Sequence, residues 1–175
     1  MDAECRIALL EEKDTAEIIN YIKQKVLQIE NENTDKFVMF TSGYLNFLEY
    51  YNPRNIRLRK INYKEEWVSL INNDEPAGIV SFSVDTESPV LKLNLIHVKE
   101  KDLNVFLNSF NKIINILKKN VVSNISKLRA SIETENNTVE IWQDIFLKLG
   151  FQIEARRRYG TEFKKSSIDY IYHIK

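Results

Sequence analysis

Apolar positions along the chain change period several times, and each change marks an element. Arg6 to Leu10 (RIALL) is a short apolar run that suits a first strand. Asp14, with Glu17 three residues on, resembles a capping box. Ile18, Ile19, Ile22, Val26 and Ile29 then recur at helical spacing, which predicts a helix from Thr15 to Ile29. Glu30 to Asp35 is polar and reads as a loop. Phe37 to Tyr51 is rich in aromatics, and Ser42 can cap a second helix carrying Tyr44, Leu45, Phe47, Leu48 and Tyr51. Asn52-Pro53 ends that helix in this reading, because proline disfavours a helical residue before it. Trp67 to Ile71 and Ile79 to Val84 are β-prone runs around NNDEPAG, a hairpin signal with Gly78 at the return.

Val90 to Val98 has apolar residues on both parities, as a strand buried on both faces requires. Asp102 then suits the N-cap of a helix running to Lys119. Leu103, Phe106, Leu107, Phe110, Ile113, Ile114 and Leu117 line one side of it, and Lys118 and Lys119 suit its C-terminal dipole. Lys127 to Ile132 reads as a strand. Thr138 starts a helix to Leu149 with Ile141, Trp142, Ile145, Phe146 and Leu149 inward, and Gly150 is a natural C′ residue. Phe151 to Tyr159 and Ser167 to Lys175 form a closing hairpin around Gly160. The order is β-α-α-β-β-β-α-β-α-β-β. The central strand-helix-strand unit calls for a parallel pair and a right-handed crossover. No repeat, linker or low-complexity block interrupts residues 1–175, so a single domain is expected.

Composition narrows the chemistry. Lys plus Arg and Asp plus Glu number 25 each, so the chain has no global pull toward nucleic acid or anionic membrane. No apolar run approaches the roughly 20 residues that span a bilayer, and no signal-peptide pattern opens the chain. Cys5 is the one cysteine, which leaves no internal disulfide framework and no cysteine-based metal cluster. A cytoplasmic protein without a metal is the expectation, and the Asn-, Ile- and Lys-rich composition suggests a bacterial, AT-rich source. Arg54, Arg57, Arg59 and Lys60 suit either a solvated loop or edge strand, with Ile56, Leu58 and Ile61 alternating, or a site for an acidic group.

Three passages resemble the GNAT superfamily of N-acetyltransferases. They are the hairpin WVSLINNDEPAGIVSFSV, the strand, turn and long helix from Leu91 to Leu117, and EIWQDIFLKLGFQIEARRRYG followed by SIDYIYHIK. The last contains Lys148-Leu149-Gly150-Phe151, similar to the family's Lys-x-Gly-Phe ending. The resemblance implies an α/β (α+β) three-layer fold, with a mixed central sheet of about seven strands and helices on both faces. It implies an acetyl-CoA-dependent N-acetyltransferase acting on a primary amine of a small molecule or protein by direct acyl transfer. Acetyl-CoA would enter between the fourth and fifth strands, Val90–Val98 and Lys127–Ile132. Its pantothenate arm would pair with backbone at Ile96, His97 and Val98. Its pyrophosphate would lie on the turn and helix start at Lys99, Lys101, Leu103, Asn104 and Val105, and Asn137 matches an asparagine frequent before the next helix.

The chain departs from the family at two places. Lys99 to Phe106 has no glycine, although glycine is what lets backbone N–H groups approach a phosphate. Phe146 stands where members often have the tyrosine that protonates the leaving thiolate, and Phe cannot donate a proton. Tyr159 and Tyr44 are the candidate replacements, or else aromatics packed on a sheet or helix. Glu133, Glu135 and His97 are candidate bases for the amine. His97 equally suits a partly buried sheet position, and the glutamates a solvated loop. Arg156-Arg157-Arg158 suits either the orienting of an acidic substrate or a charged edge strand. Two functions follow: the acetyltransferase with a small-molecule or peptide amine acceptor, or a catalytically inactive GNAT-fold binding protein. The C-terminal hairpin with Tyr170 and Tyr172 leaves room for a homodimer.

Overall fold

The structure, a computed structural model, describes residues 6–9, 20, 36–42, 52–84, 90–120, 124–134, 138–157 and 166–174. The helices expected at 15–29 and 42–51 lie outside these residues, apart from Asn20, which is helical, and Ser42. Among the described residues eight strands form one mixed sheet: β1 (Arg6–Leu9), β2 (Phe37–Thr41), β3 (Glu66–Asn72), β4 (Glu75–Val84), β5 (Val90–Lys99), β6 (Lys127–Glu133), β7 (Gln152–Arg157) and β8 (Ser167–His173). The order across the sheet is β1-β3-β4-β5-β6-β8-β7, with β2 pairing β5 off that path. Three helices accompany it among the described residues: α1 (Pro53–Tyr63), α2 (Leu103–Asn120) and α3 (Val139–Lys148).

The expected central unit is present. β5 and β6 run parallel through Val90–Lys127, Leu91–Leu128 and Lys92–Arg129, joined by α2. All other strand pairs are antiparallel. Alternation then assigns the two faces of the sheet. On one face Val68, Leu70, Val80, Ile96 and Val98 join Phe106, Phe110, Ile113, Ile114 and Leu117 of α2 and Trp142, Ile145 and Phe146 of α3 in one buried cluster. On the other face lie Trp67, Ser69, Ile79, Ser81, Leu95 and His97, all buried.

α1 serves that second face, and it corrects the reading of residues 53–63 as a loop or edge strand. Asn52 accepts a hydrogen bond from the Arg54 backbone N–H at 3.0 Å, and Pro53 stands in the first turn, where its missing N–H has no helical partner to lose. Asn52-Pro53 therefore begins a helix. Lys64, in left-handed conformation with φ of 46°, ends it. Inward-facing Arg59 meets buried Glu65 at 2.7 Å, with its guanidinium 5.9 Å above the Trp67 ring.

Further differences are local. The β3–β4 return is made by Asn73 and Asp74, with φ of 52° and 61°, as a tight primed turn needs. Gly78 sits inside β4 instead, where an added Cβ would lie 2.8 Å from the His97 carbonyl oxygen and 2.8 Å from Val98 Cγ2. Gly150 does end α3. The Phe151 N–H donates to Phe146 O at 2.9 Å and the Gly150 N–H to Leu147 O at 3.0 Å, a Schellman pair with Gly150 at φ of 90°. Thr138 stands at the N-cap of α3 without a side-chain capping bond. Ile141, expected inward, is 53 % exposed, whereas Tyr170 is fully buried and so unavailable to a dimer surface.

Candidate active site

The candidate site is the splay between β5 and β6, where the resemblance puts the cofactor cleft. The two strands pair only as far as Lys92 and Arg129. Beyond that point β5 continues for seven residues, and its edge on that side is filled by β2. The register runs Thr41–Leu95, Phe40–Ile96, Met39–His97, Val38–Val98 and Phe37–Lys99. Two further backbone bonds of 2.8 Å close the ends, from Ser42 N–H to Asn94 O and from Glu100 N–H to Lys36 O. The backbone expected to receive a pantothenate arm, at Ile96 to Val98, is thus engaged by the chain itself.

Helix α3 fastens β2 from the buried face. The Trp142 indole N–H donates to Met39 O at 2.8 Å. Phe40, buried on that face, packs tilted against Trp142 at 5.4 Å and edge-on to Phe146 at 5.1 Å. Phe146 also touches Phe151 at 5.0 Å and Tyr170 at 5.3 Å. The phenylalanine standing at the family's tyrosine position is therefore one wall of the socket that receives Phe40. Neither β2 nor its Trp142 anchor was expected from the sequence. The signal was present in FVMFT, a run of β-formers with Val38 and Phe40 on one parity.

His97 lies on the opposite face of β5, 1 % exposed, edge-on to Phe37 at 4.8 Å. Burial lowers its pKa to about 3. At neutral pH the imidazole is uncharged and too weakly basic to take a proton from an ammonium group. Lys99 is 2 % exposed with its Nζ 3.4 Å from Glu75 Oε2. With Lys101, Asn72, Asn73 and Asp102 these residues line a polar pocket of about 240 Å³ at the β3–β4 turn.

A single 3₁₀ turn, Glu100–Asp102, precedes α2, and the Leu103 N–H donates to Glu100 O within it. Asp102 is buried, and its Oδ1 accepts from Asn72 Nδ2 at 2.8 Å. Leu103 and Val105 are half-buried and Asn104 is exposed. The start of α2 thus carries two carboxylates and side chains at every position, where a phosphate would need open backbone N–H groups.

Glu133 ends β6 opposite Ser167 and is half-buried. Beside it Ser131 donates to Asp169 Oδ1 at 2.8 Å, and Arg157 Nε lies 2.6 Å from Asp169 Oδ2. Of the arginine run, Arg157 is therefore committed to a buried carboxylate. Arg156 is exposed on β7, an edge of the sheet. Tyr159, Tyr44, Glu135, Asn137 and Arg158 lie outside the described residues. His97 and Glu133 flank the splay on different strands, with β2 set against His97. Among the described residues no three of His, Cys, Asp and Glu gather as metal ligands, and no helix is long and apolar enough to cross a membrane.

No family model matches the chain, and no curated protein sequence does. Its structure, however, is similar to many solved acetyltransferases. One is a GNAT-family acetyltransferase from Staphylococcus aureus, with TM-score 0.62 and 15 % identity, covering 98 % of this chain and 100 % of that one. Another, from Salmonella typhimurium, modifies the N-terminal serine of ribosomal protein L7/L12. It gives TM-score 0.66 at 12 % identity, over 100 % of this chain and 97 % of that one. A third is a ribosomal L7/L12 α-N-protein acetyltransferase in complex with coenzyme A, with TM-score 0.63 and 12 % identity, over 99 % and 96 % of the two chains. The chain has the GNAT acetyltransferase fold. With β2 on the β5 edge and no glycine at the α2 start, the residues present do not fit acetyl-CoA in the splay.

Proposed function

We propose that this chain, starting from the GNAT fold, serves as a binding protein in which the acetyl-CoA cleft has become a structural joint. The observation that carries this reading is the register of β2 on β5 from Leu95 to Lys99. A pantetheine arm would need the same backbone groups. Phe146 in the Phe40 socket, neutral buried His97 and the carboxylates at the start of α2 all support the same reading. The test is a thermal melt with acetyl-CoA and with CoA. A ligand present at about a hundred times its Kd adds about 2.7 kcal/mol, which raises Tm by several degrees in a chain of this size. The expected result is no shift with either compound. A saturable shift overturns the reading.

A second reading is favoured by the likeness along almost the whole of both chains to enzymes that acetylate ribosomal-protein N-termini. In it the chain is an acetyl-CoA-dependent N-acetyltransferase for a primary amine of a protein or small molecule, and β2 withdraws before the cofactor enters. Glu133 would then take the amine proton, and Tyr159 would supply the acid that Phe146 cannot. Phe40→Ala, which empties the socket in α3, separates the two. Acetyl-CoA binding and CoA thiol release by that variant on an N-terminal peptide panel support the second reading, and their absence removes it.

A further inference from the structure

Helix α1 is built inside out. Its inward side carries Arg59, bonded to buried Glu65, while Leu58 and Ile61 point outward at 46 % and 76 % exposed. Arg54 and Arg57 are exposed beside them. At 100° per residue, Arg57, Ile61, Arg54 and Leu58 fall in one band about 100° wide. A helix on a globular surface ordinarily turns its aliphatic residues in and its charges out. The segment PRNIRLRKINY has no acidic residue of its own; Arg59 is matched by Glu65, and the outward band carries Arg54 and Arg57 in a chain that is neutral overall. Such a band suits a partner with carboxylates set between aliphatic side chains.

The chain presents that complement itself. On α3, Ile141 and Leu147 are 53 % and 48 % exposed, with Glu140, Asp144 and one cation, Lys148, exposed between them. We propose that α1 of one molecule docks on α3 of a second copy. α1 covers the Trp67 face of the sheet, and α3 packs on the opposite face through Trp142 and Phe146. The contact is therefore head-to-tail. The docked pair keeps one unused helix of each kind, so association does not stop at a dimer. Helices of 11 and 10 residues are only about 15 Å long. The contact is accordingly small, weak and sensitive to salt.

Sedimentation of the full chain from about 10 μM to about 1 mM covers the range in which so small a contact fills. At about 0.05 M salt the average mass should climb from 20.7 kDa past that of a dimer, and at about 0.5 M salt it should fall back. R54E/R57E and E140R/D144R should each stay monomeric. Their equimolar mixture should associate, because each acidic α1 then meets a basic α3. Leu58→Ser with Ile61→Ser should also abolish association, with Tm unchanged. A wild type that is monomeric throughout overturns the proposal. So does a closed two-fold dimer, association of either charge variant alone, or a mixture of correctly folded variants that stays monomeric. None of these readouts involves acetyl-CoA, so failure here and failure of the binding-protein reading are separate results.

Discussion

Single residues carry the clearest chemistry in this molecule. His97 is neutral because it is dry: burial holds its pKa at about 3, against 6.5 in the open chain. The unfolded chain takes up a proton as pH falls through 6.5, and the folded chain does not. Stabilisation from neutral His97 is therefore complete above about pH 6.5 and is lost as pH falls toward about 3. Between those limits wild type should lose about 1.4 kcal/mol per pH unit more than His97→Leu, measured by denaturant unfolding. Equal slopes would show that the histidine titrates freely. Tyr170 makes the reverse case. Its hydroxyl is buried with no hydrogen-bond partner among the described residues, and burial raises its pKa. Removing an unsatisfied hydroxyl is neutral or stabilising, so Tyr170→Phe should hold or raise the unfolding free energy by up to about 1–2 kcal/mol. A clear loss would reveal a partner for that hydroxyl.

At the scale of elements, strength of pattern decides what the sequence reveals. α2 was legible because Phe106, Phe110, Ile113, Ile114 and Leu117 repeat at helical spacing and are buried together. The hairpin β3–β4 was legible through its turn residues. α1 was not, since its burial is polar: Arg59 goes in, Leu58 and Ile61 stay out, and no apolar stripe forms. β2 was missed because a run of β-formers only five residues long does not reveal its partner, which lies more than fifty residues away. Local sequence cannot report a long-range strand pairing. The socket for β2 should be measurable, since Phe40→Ala empties a fully packed aromatic site and should cost about 3–5 kcal/mol in chemical unfolding. A loss under about 1 kcal/mol would mean that β2 is not anchored there. Gly78→Ala drives a Cβ against backbone of β5 at 2.8 Å and should cost about 1–3 kcal/mol or more, read from the same unfolding curves. Unchanged stability would mean that β4 and β5 lie farther apart.

For the whole molecule, the architecture was more legible than the site. The parallel β5–α2–β6 unit and the Gly150 stop of α3 mark the GNAT fold, and both follow from local rules of crossover and capping. The candidate site depends on how two diverging strands are filled, which no motif records. The missing glycines and Phe146 were readable as departures. Their physical sense emerged only with Phe40 lodged against Phe146 and β2 laid along β5. In the binding-protein reading this edge is permanently engaged by the chain. Hydrogen exchange on the intact protein, with and without saturating acetyl-CoA, tests it most directly. Residues 36–42 and 94–100 should be protected as deeply as β4, and acetyl-CoA should change neither. Rapid exchange in 36–42, or release of that segment while 94–100 stays protected when acetyl-CoA is added, would contradict it.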